Sequence, residues 1–257
     1  GEPPLGADHS FRAGAIVVAT LFCTLGLLYG IWYSYSVFLV ALIEHFGWSR
    51  AITAGAMSVF ILIHGSFGPL AGRLVERFGP RRLMLTGSFV VASGLCLTSL
   101  VEQWWQLYLS LGVVTAIGLG ACGWVPSVIL TEKWFPARMG TALGIVTAGI
   151  GVGIFAVVPL VNLLIEQLDW RLAYRVLAAL VLLVVTPAAL WIVREPKVAP
   201  PRVAAVGEPA PLAARHWTVR SALRSRAFHF AMLAFFLGGS LSQMLLMHQF
   251  AFMVDHG

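Results

Sequence analysis

Tyr29, Tyr33 and Ser36 recur at i, i+4 and i+7 inside one apolar run, so a helix places all three on a single face. Further apolar runs hold His64, then Trp124 and Ser127, then Thr147, and finally Ser240, Gln243 and His248. Polar groups at membrane depth are costly, and they either line a solute path or bond to a neighbouring backbone. Tyr29, Tyr33, Ser36, His64, Trp124, Ser127, Thr147, Gln243 and His248 are therefore the candidates for binding a solute. His64 and His248 add a group that titrates near neutral pH and can carry a coupled proton. No carboxylate accompanies either of them inside an apolar run.

The same side chains argue against bond-making chemistry. An intramembrane enzyme needs clustered His, Asp or Glu, or a nucleophile beside a base, at membrane depth, and scattered histidines do not supply that. Cys23, Cys96 and Cys122 each fall in an apolar run, with no CxxC pair and no nearby His. They read as small buried side chains, not as a disulfide or zinc site. No cofactor or metal is expected.

The elements that must position these residues are membrane helices. At 59% hydrophobic residues and a mean hydropathy of +0.86, the 257-residue chain is too apolar for a soluble domain. Seven runs approach the roughly 20 apolar residues that cross a hydrocarbon core: 13–43, 51–74, 83–101, 105–131, 140–165, 172–193 and 228–254. They are continuous, with no strand-like alternation, and backbone groups in lipid must bond internally, so helices follow. The expected fold is all-α and integral to the membrane, a six-helix bundle plus a seventh span. Small residues recur at four-residue spacing, as helix contacts in lipid favour: Gly26, Gly30 and Ser34; Gly112, Ala116 and Gly120; Gly140, Gly144 and Ala148.

The net charge of +6 does not point to nucleic acid, because the bases sit in short loops between the runs. With the N-terminus in the cytoplasm, fourteen of the 17 bases fall on the cytoplasmic side and only Arg50, Arg171 and Arg175 lie outside, in accord with the positive-inside rule. Trp48, Trp104, Trp105, Trp134, Trp170 and Trp191 lie near span ends, as interfacial anchors do. Residues 1–10 read as a short polar tail with no signal peptide.

Charge is densest between the second and third runs, where Gly72, Arg73, Glu76, Arg77, Gly79, Arg81 and Arg82 fall together in a chain only 11% charged. The second span reaches the cytoplasm with its C-terminus, whose partial negative charge favours Arg73 and Arg77 and disfavours Glu76. Glu76 therefore calls for a cation or another helix's N-terminus. A topological stop signal would explain the bases but neither the acid nor the glycines. The pattern resembles the signature loop of the major facilitator superfamily, with Glu76 where that family more often has Asp. The resemblance implies secondary transport by alternating access, with this loop in a charge network that holds the cytoplasmic side shut against a second half. It implies close helix approach at Gly72 and a tight turn at Gly79. Lys133 and Arg138, with Glu132, are assigned to the same cytoplasmic gate.

A second set of residues narrows the resemblance. Gly118, Gly120, Pro126, Lys133, Trp134, Phe135, Pro136, Gly140, Ala142, Gly144, Gly149 and Gly153, together with Phe46, Gly47, Trp48, Ser49 and Arg50, are similar to the monocarboxylate transporters and bacterial oxalate:formate antiporters. That branch implies a small monocarboxylate or dicarboxylate anion as cargo, moved by proton symport or anion exchange. The chain departs from it at Phe11, Arg12, Ala13, Gly14 and Ala15, where animal monocarboxylate transporters carry an acidic Gly-Trp motif, and no base lies inside spans one or four. Val114 stands where proton-coupled drug antiporters of the superfamily carry Arg, which weighs against drug export. Export of drugs or other small molecules, and a membrane subunit or receptor that does not transport, are the alternatives.

The chain divides into a cytoplasmic tail at 1–12, a six-span half at 13–194, a linker at 195–226 and the first span of a second half at 227–257. The linker carries Pro196, Pro200, Pro201, Pro209 and Pro211, and Thr218 is placed to cap a short helix at its end. Transporters built from two six-helix halves have this layout. The expectation is a piece of a protein of roughly 400 residues; the resemblance to the transporter families implies that its C-terminal half supplies the bases that hold an anion.

Overall fold

The computed structural model describes residues 5–193, 221 and 223–238. The chain divides into two units, 1–203 and 204–257.

The first unit is a bundle of helices, with no strand among the described residues. Helix α1, Leu5–Tyr33, gives way at Ser34 to α2, Tyr35–Phe46, and the two together make one long apolar segment. Helix α3 spans Arg50–Phe78 and starts where the Ser49 hydroxyl accepts the Ile52 amide. Gly79 then turns the chain at φ +82° and ψ 155°, a conformation essentially restricted to glycine. Pro80 opens α4, Pro80–Thr98, at a position that needs no amide donor.

The fourth segment is interrupted. It runs from α5, Trp104–Leu107, through a π-helical stretch, Tyr108–Thr115, to α6, Ala116–Cys122, and α7, Trp124–Trp134. The Thr115 hydroxyl donates five residues back to the Ser110 carbonyl at 2.9 Å, matching the wider π register. A 3₁₀ turn, Pro136–Arg138, leads to α8, Met139–Gln167, and α9, Trp170–Pro187, ends in a second π-helical stretch, Ala188–Ile192. The second unit contributes α10, Arg226–Gly238, a shorter apolar helix.

Among the described residues, five segments are long and apolar enough to cross a membrane: Arg12–Phe46, Arg50–Phe78, Trp104–Trp134, Pro136–Gln167 and Trp170–Ile192. The third run of the sequence is not among them. Its helix, α4, has 19 residues with Arg81 and Arg82 in the first turn. Its contacts are with protein, since α4 packs against both α6 and α9 and buries Met84, Val91 and Leu95 completely. Of the seventh run, only the part within α10 belongs to the described residues, and most of the linker, Thr218 included, lies outside them.

Helices in lipid associate through close packing, with no hydrophobic drive between them. The tightest seam joins α1 to α8. A methyl group on Gly26 would lie 2.8 Å from the Gly149 carbonyl oxygen, and one on Gly153 would overlap the Gly26 backbone. The expected stripe in the fifth span is thus displaced: Gly140 and Gly144 face open space, Ala148 is exposed, and Gly149 and Gly153 make the contact. In the fourth segment, Gly112 abuts Ala56 and Val59, and Gly120 abuts Phe67, so that stripe packs on α3.

Two further expectations are corrected. Trp170 is only 3% exposed and packs beneath Phe46 and Tyr174, so it is a core residue and no interfacial anchor. Cys122 is buried, but Cys23 and Cys96 lie exposed on the outer faces of α1 and α4. All three thiols are free.

Candidate solute-binding face and charged loop

Three of the residues proposed for a solute path meet around one that the sequence reading omitted. Trp32 stacks on Tyr29 with ring centroids 5.4 Å apart and on Tyr33 at 6.2 Å, and meets His64 edge-on at 4.8 Å. Phe60 closes the group, 4.8 Å from Trp32. His64 Nδ1 is 3.4 Å from the Ala116 carbonyl oxygen, so a helix-backbone group of α6 orients the imidazole. Trp32 carries no polar signal of the kind that marks the other candidates, although its spacing of three from Tyr29 sets both on one helical face.

The other candidates lie elsewhere. Ser127 is fully buried and its hydroxyl donates to Gly123 within its own segment at 2.7 Å. Thr147 likewise donates to Gly144 at 3.0 Å. Trp124 is exposed. Ser36 donates to Tyr33 and borders a groove of about 410 Å³ with Glu44, Asn162 and Glu166, between α2 and α8. Glu44 and Glu166 fall outside the predicted spans, which stop at 43 and 165, whereas α2 and α8 continue to Phe46 and Gln167; Asn162 lies inside the fifth predicted span and was not among the candidates. Gln243 and His248 lie outside the described residues.

Inside the bundle there is little room. Trp32, Tyr35, Phe60, Thr115 and Tyr174 border a void of about 20 Å³, the size of one water. Larger spaces lie on the faces of the bundle. One such face is a groove of about 450 Å³ between α1 and the start of α8, walled by Ala15, Val18, Phe22, Phe135 and Ile145. Arg138 is the charged residue of its lining, and Thr141 adds a hydroxyl. Phe135 closes the groove against Gly14, where a methyl group would come within 2.8 Å of its ring.

The charged loop behaves differently at each position. Arg73, Glu76, Arg77 and Arg82 are exposed, and Arg77 lies 5.2 Å from the centre of the Phe78 ring. Among the described residues Glu76 has no hydrogen-bonding or ionic partner. Gly72 faces open space, so the close approach expected there is not made within this unit. Arg81, also exposed, is held by backbone carbonyls, donating from Nε to that of Ala189 at 3.1 Å and from Nη2 to that of Leu190. Lys133, in the last turn of α7, is exposed. Arg138 belongs to the groove, apart from the loop at 72–82.

Sequence comparison decides the family: the profile of the Major Facilitator Superfamily matches residues 21–257. The chain belongs to the major facilitator superfamily. Among curated members it is similar to monocarboxylate transporter 3 of Rattus norvegicus, 34% identical over 169 residues that make up 66% of this chain and 34% of that protein. It is 31% identical over 189 residues to monocarboxylate transporter 13 of Bos taurus, covering 74% of this chain and 43% of that protein. It is 30% identical over 195 residues to MFS-type transporter 1 of Ophiocordyceps sp. (strain BCC 1869), covering 75% and 43%. These relatives are named as transporters and not as enzymes, and the chain spans less than half of their length. Family and apolar helices together make this a multi-pass membrane protein of the major facilitator superfamily.

Proposed function

We propose that this chain is part of a secondary active transporter that moves a small carboxylate anion by alternating access, with proton symport or anion exchange and no chemical conversion of the cargo. The observation that carries the anion is Arg138, a cation in an otherwise uncharged groove between α1 and α8. A guanidinium pairs with a carboxylate in bidentate fashion, and the apolar wall of Val18, Phe22 and Ile145 suits a short hydrocarbon tail. The names of the monocarboxylate transporters among the relatives support the same cargo. The N-terminus is cytoplasmic in this reading, in an inner or plasma membrane, which sets the arginines of 72–82 on the inner side. Glu76 and Gly72, unpartnered in this unit, then meet a C-terminal half when the inner side is shut.

The test is uptake of labelled lactate, formate and oxalate into proteoliposomes, with and without an imposed pH gradient. The longest reading frame that contains this chain is compared with the 257-residue chain itself and with Arg138→Gln in the longer protein. Uptake of one carboxylate that Arg138→Gln abolishes is the expected result. Carboxylate uptake that is unchanged in the variant overturns the role of Arg138, and absence of uptake by a folded longer protein overturns the cargo.

A further inference from the structure

The void of about 20 Å³ inside the bundle lies where four segments meet. Trp32 and Tyr35 border it from the first, Phe60 from α3, Thr115 from the π-helical stretch of the fourth and Tyr174 from α9. Tyr174 is only 1% exposed, and its ring stacks on Phe38 of α2 at 3.8 Å. Its hydroxyl has no hydrogen-bond partner among the described residues. Thr24 and Trp170 also bury an unpartnered polar atom, but neither borders the void.

A buried tyrosine hydroxyl usually finds a partner, since leaving it unpaired forfeits its hydration with no return. The void is large enough for one water and too small for a carboxylate solute. A buried water needs two to four polar partners, and the tyrosines supply two. Tyr35 spends its proton on the Thr53 carbonyl, which leaves its oxygen free to accept. Tyr174 has the complementary need, a proton to donate. The two hydroxyls lie near enough to act on each other electrostatically.

Thr115 does not count as a third partner. Its hydroxyl donates to the Ser110 carbonyl at 2.9 Å, and its oxygen packs against Gly94 of α4, where a methyl group would meet it.

We infer that the void is a binding site for one water molecule, which accepts from the Tyr174 hydroxyl and donates to that of Tyr35. The water joins α9 to the first turn of α2, just past the break at Ser34. It also stands behind Trp32 and Phe60, and so backs the aromatic group from inside the bundle. The inference does not rest on the cargo proposed above.

A density map of the full chain in lipid nanodiscs, at a resolution that shows ordered waters, is the direct test. One peak within about 3.2 Å of both tyrosine hydroxyl oxygens is expected. Ordered side chains with no such peak overturn the site. Melting of Tyr174→Phe gives a second reading, because a wet void and a dry one predict opposite signs. With water bound, the variant loses a hydrogen bond and should melt about 2–4 °C below the wild type. In a dry void it loses only an orphaned hydroxyl, so a variant that melts at or above the wild type overturns the inference.

Discussion

The Arg81 guanidinium, in the first turn of α4, donates to the Ala189 carbonyl 108 residues away, at 3.1 Å. With its second bond to Leu190 it satisfies carbonyls at the π-helical end of the sixth segment, which carry the partial negative charge of a helix C-terminus. This arginine of the charged loop holds two segments of one bundle together. Arg81→Lys keeps the charge and loses the paired donors. At this exposed position the expected cost is about 1 kcal/mol, a melting temperature lower by about 2–4 °C. Equal melting of Lys variant and wild type would show that only the charge matters.

The α1–α8 seam predicts a contrast between glycines on one helix. Gly153→Ala drives a methyl group into the Gly26 backbone, while Gly144→Ala extends into open space. The first should cost about 3 kcal/mol or more, because backbone cannot yield as a side chain can. The second should stabilise slightly by helix propensity, by up to about 1 kcal/mol. Thermal unfolding followed by size-exclusion chromatography in detergent separates the two.

The two loop glycines also part company. Gly79→Ala must hold alanine at φ +82°, costing about 1–3 kcal/mol, and should lower the melting temperature. Gly72→Ala meets nothing within this unit and should leave melting unchanged. If Gly72→Ala nevertheless abolishes uptake by the longer protein, the glycine is required against a surface outside this bundle, as the proposed gate demands. Undiminished uptake removes Gly72 from the gate.

Polar residues in the spans should divide by where their hydroxyls are spent. Ser127 and Thr147 bond to their own helices, so Ser127→Ala and Thr147→Ala should leave uptake within about twofold. Trp32→Leu removes the ring that locates Tyr29, Tyr33 and His64 and should lower uptake about tenfold, on the scale of a misplaced binding group. Equal effects of all three would dissolve the aromatic group as a site.

Helices and their order were legible because continuous apolar runs of span length admit little else. Their ends were less so. Hydropathy stops at Ile43 and Ile165, but the helices run on by three and two residues to Phe46 and Gln167, where a polar face at Glu44 and Glu166 is exposed. The small-residue seam was legible in α1 and shifted in α8, since spacing alone cannot say which of two interleaved glycine sets faces the neighbour. The role of Arg81 was not legible at all: it bonds to a segment distant in sequence, through carbonyls that carry no residue signature.

At Gly26 and Gly153 no side chain separates the backbones of α1 and α8. A side chain larger than hydrogen at either position forces the two helices apart. Helix α8 has 29 residues, hence a length of about 44 Å, with Arg138 just before one end and Glu166 at the other. One helix thus borders both the cationic groove and the acidic one, with opposite charges near its two ends.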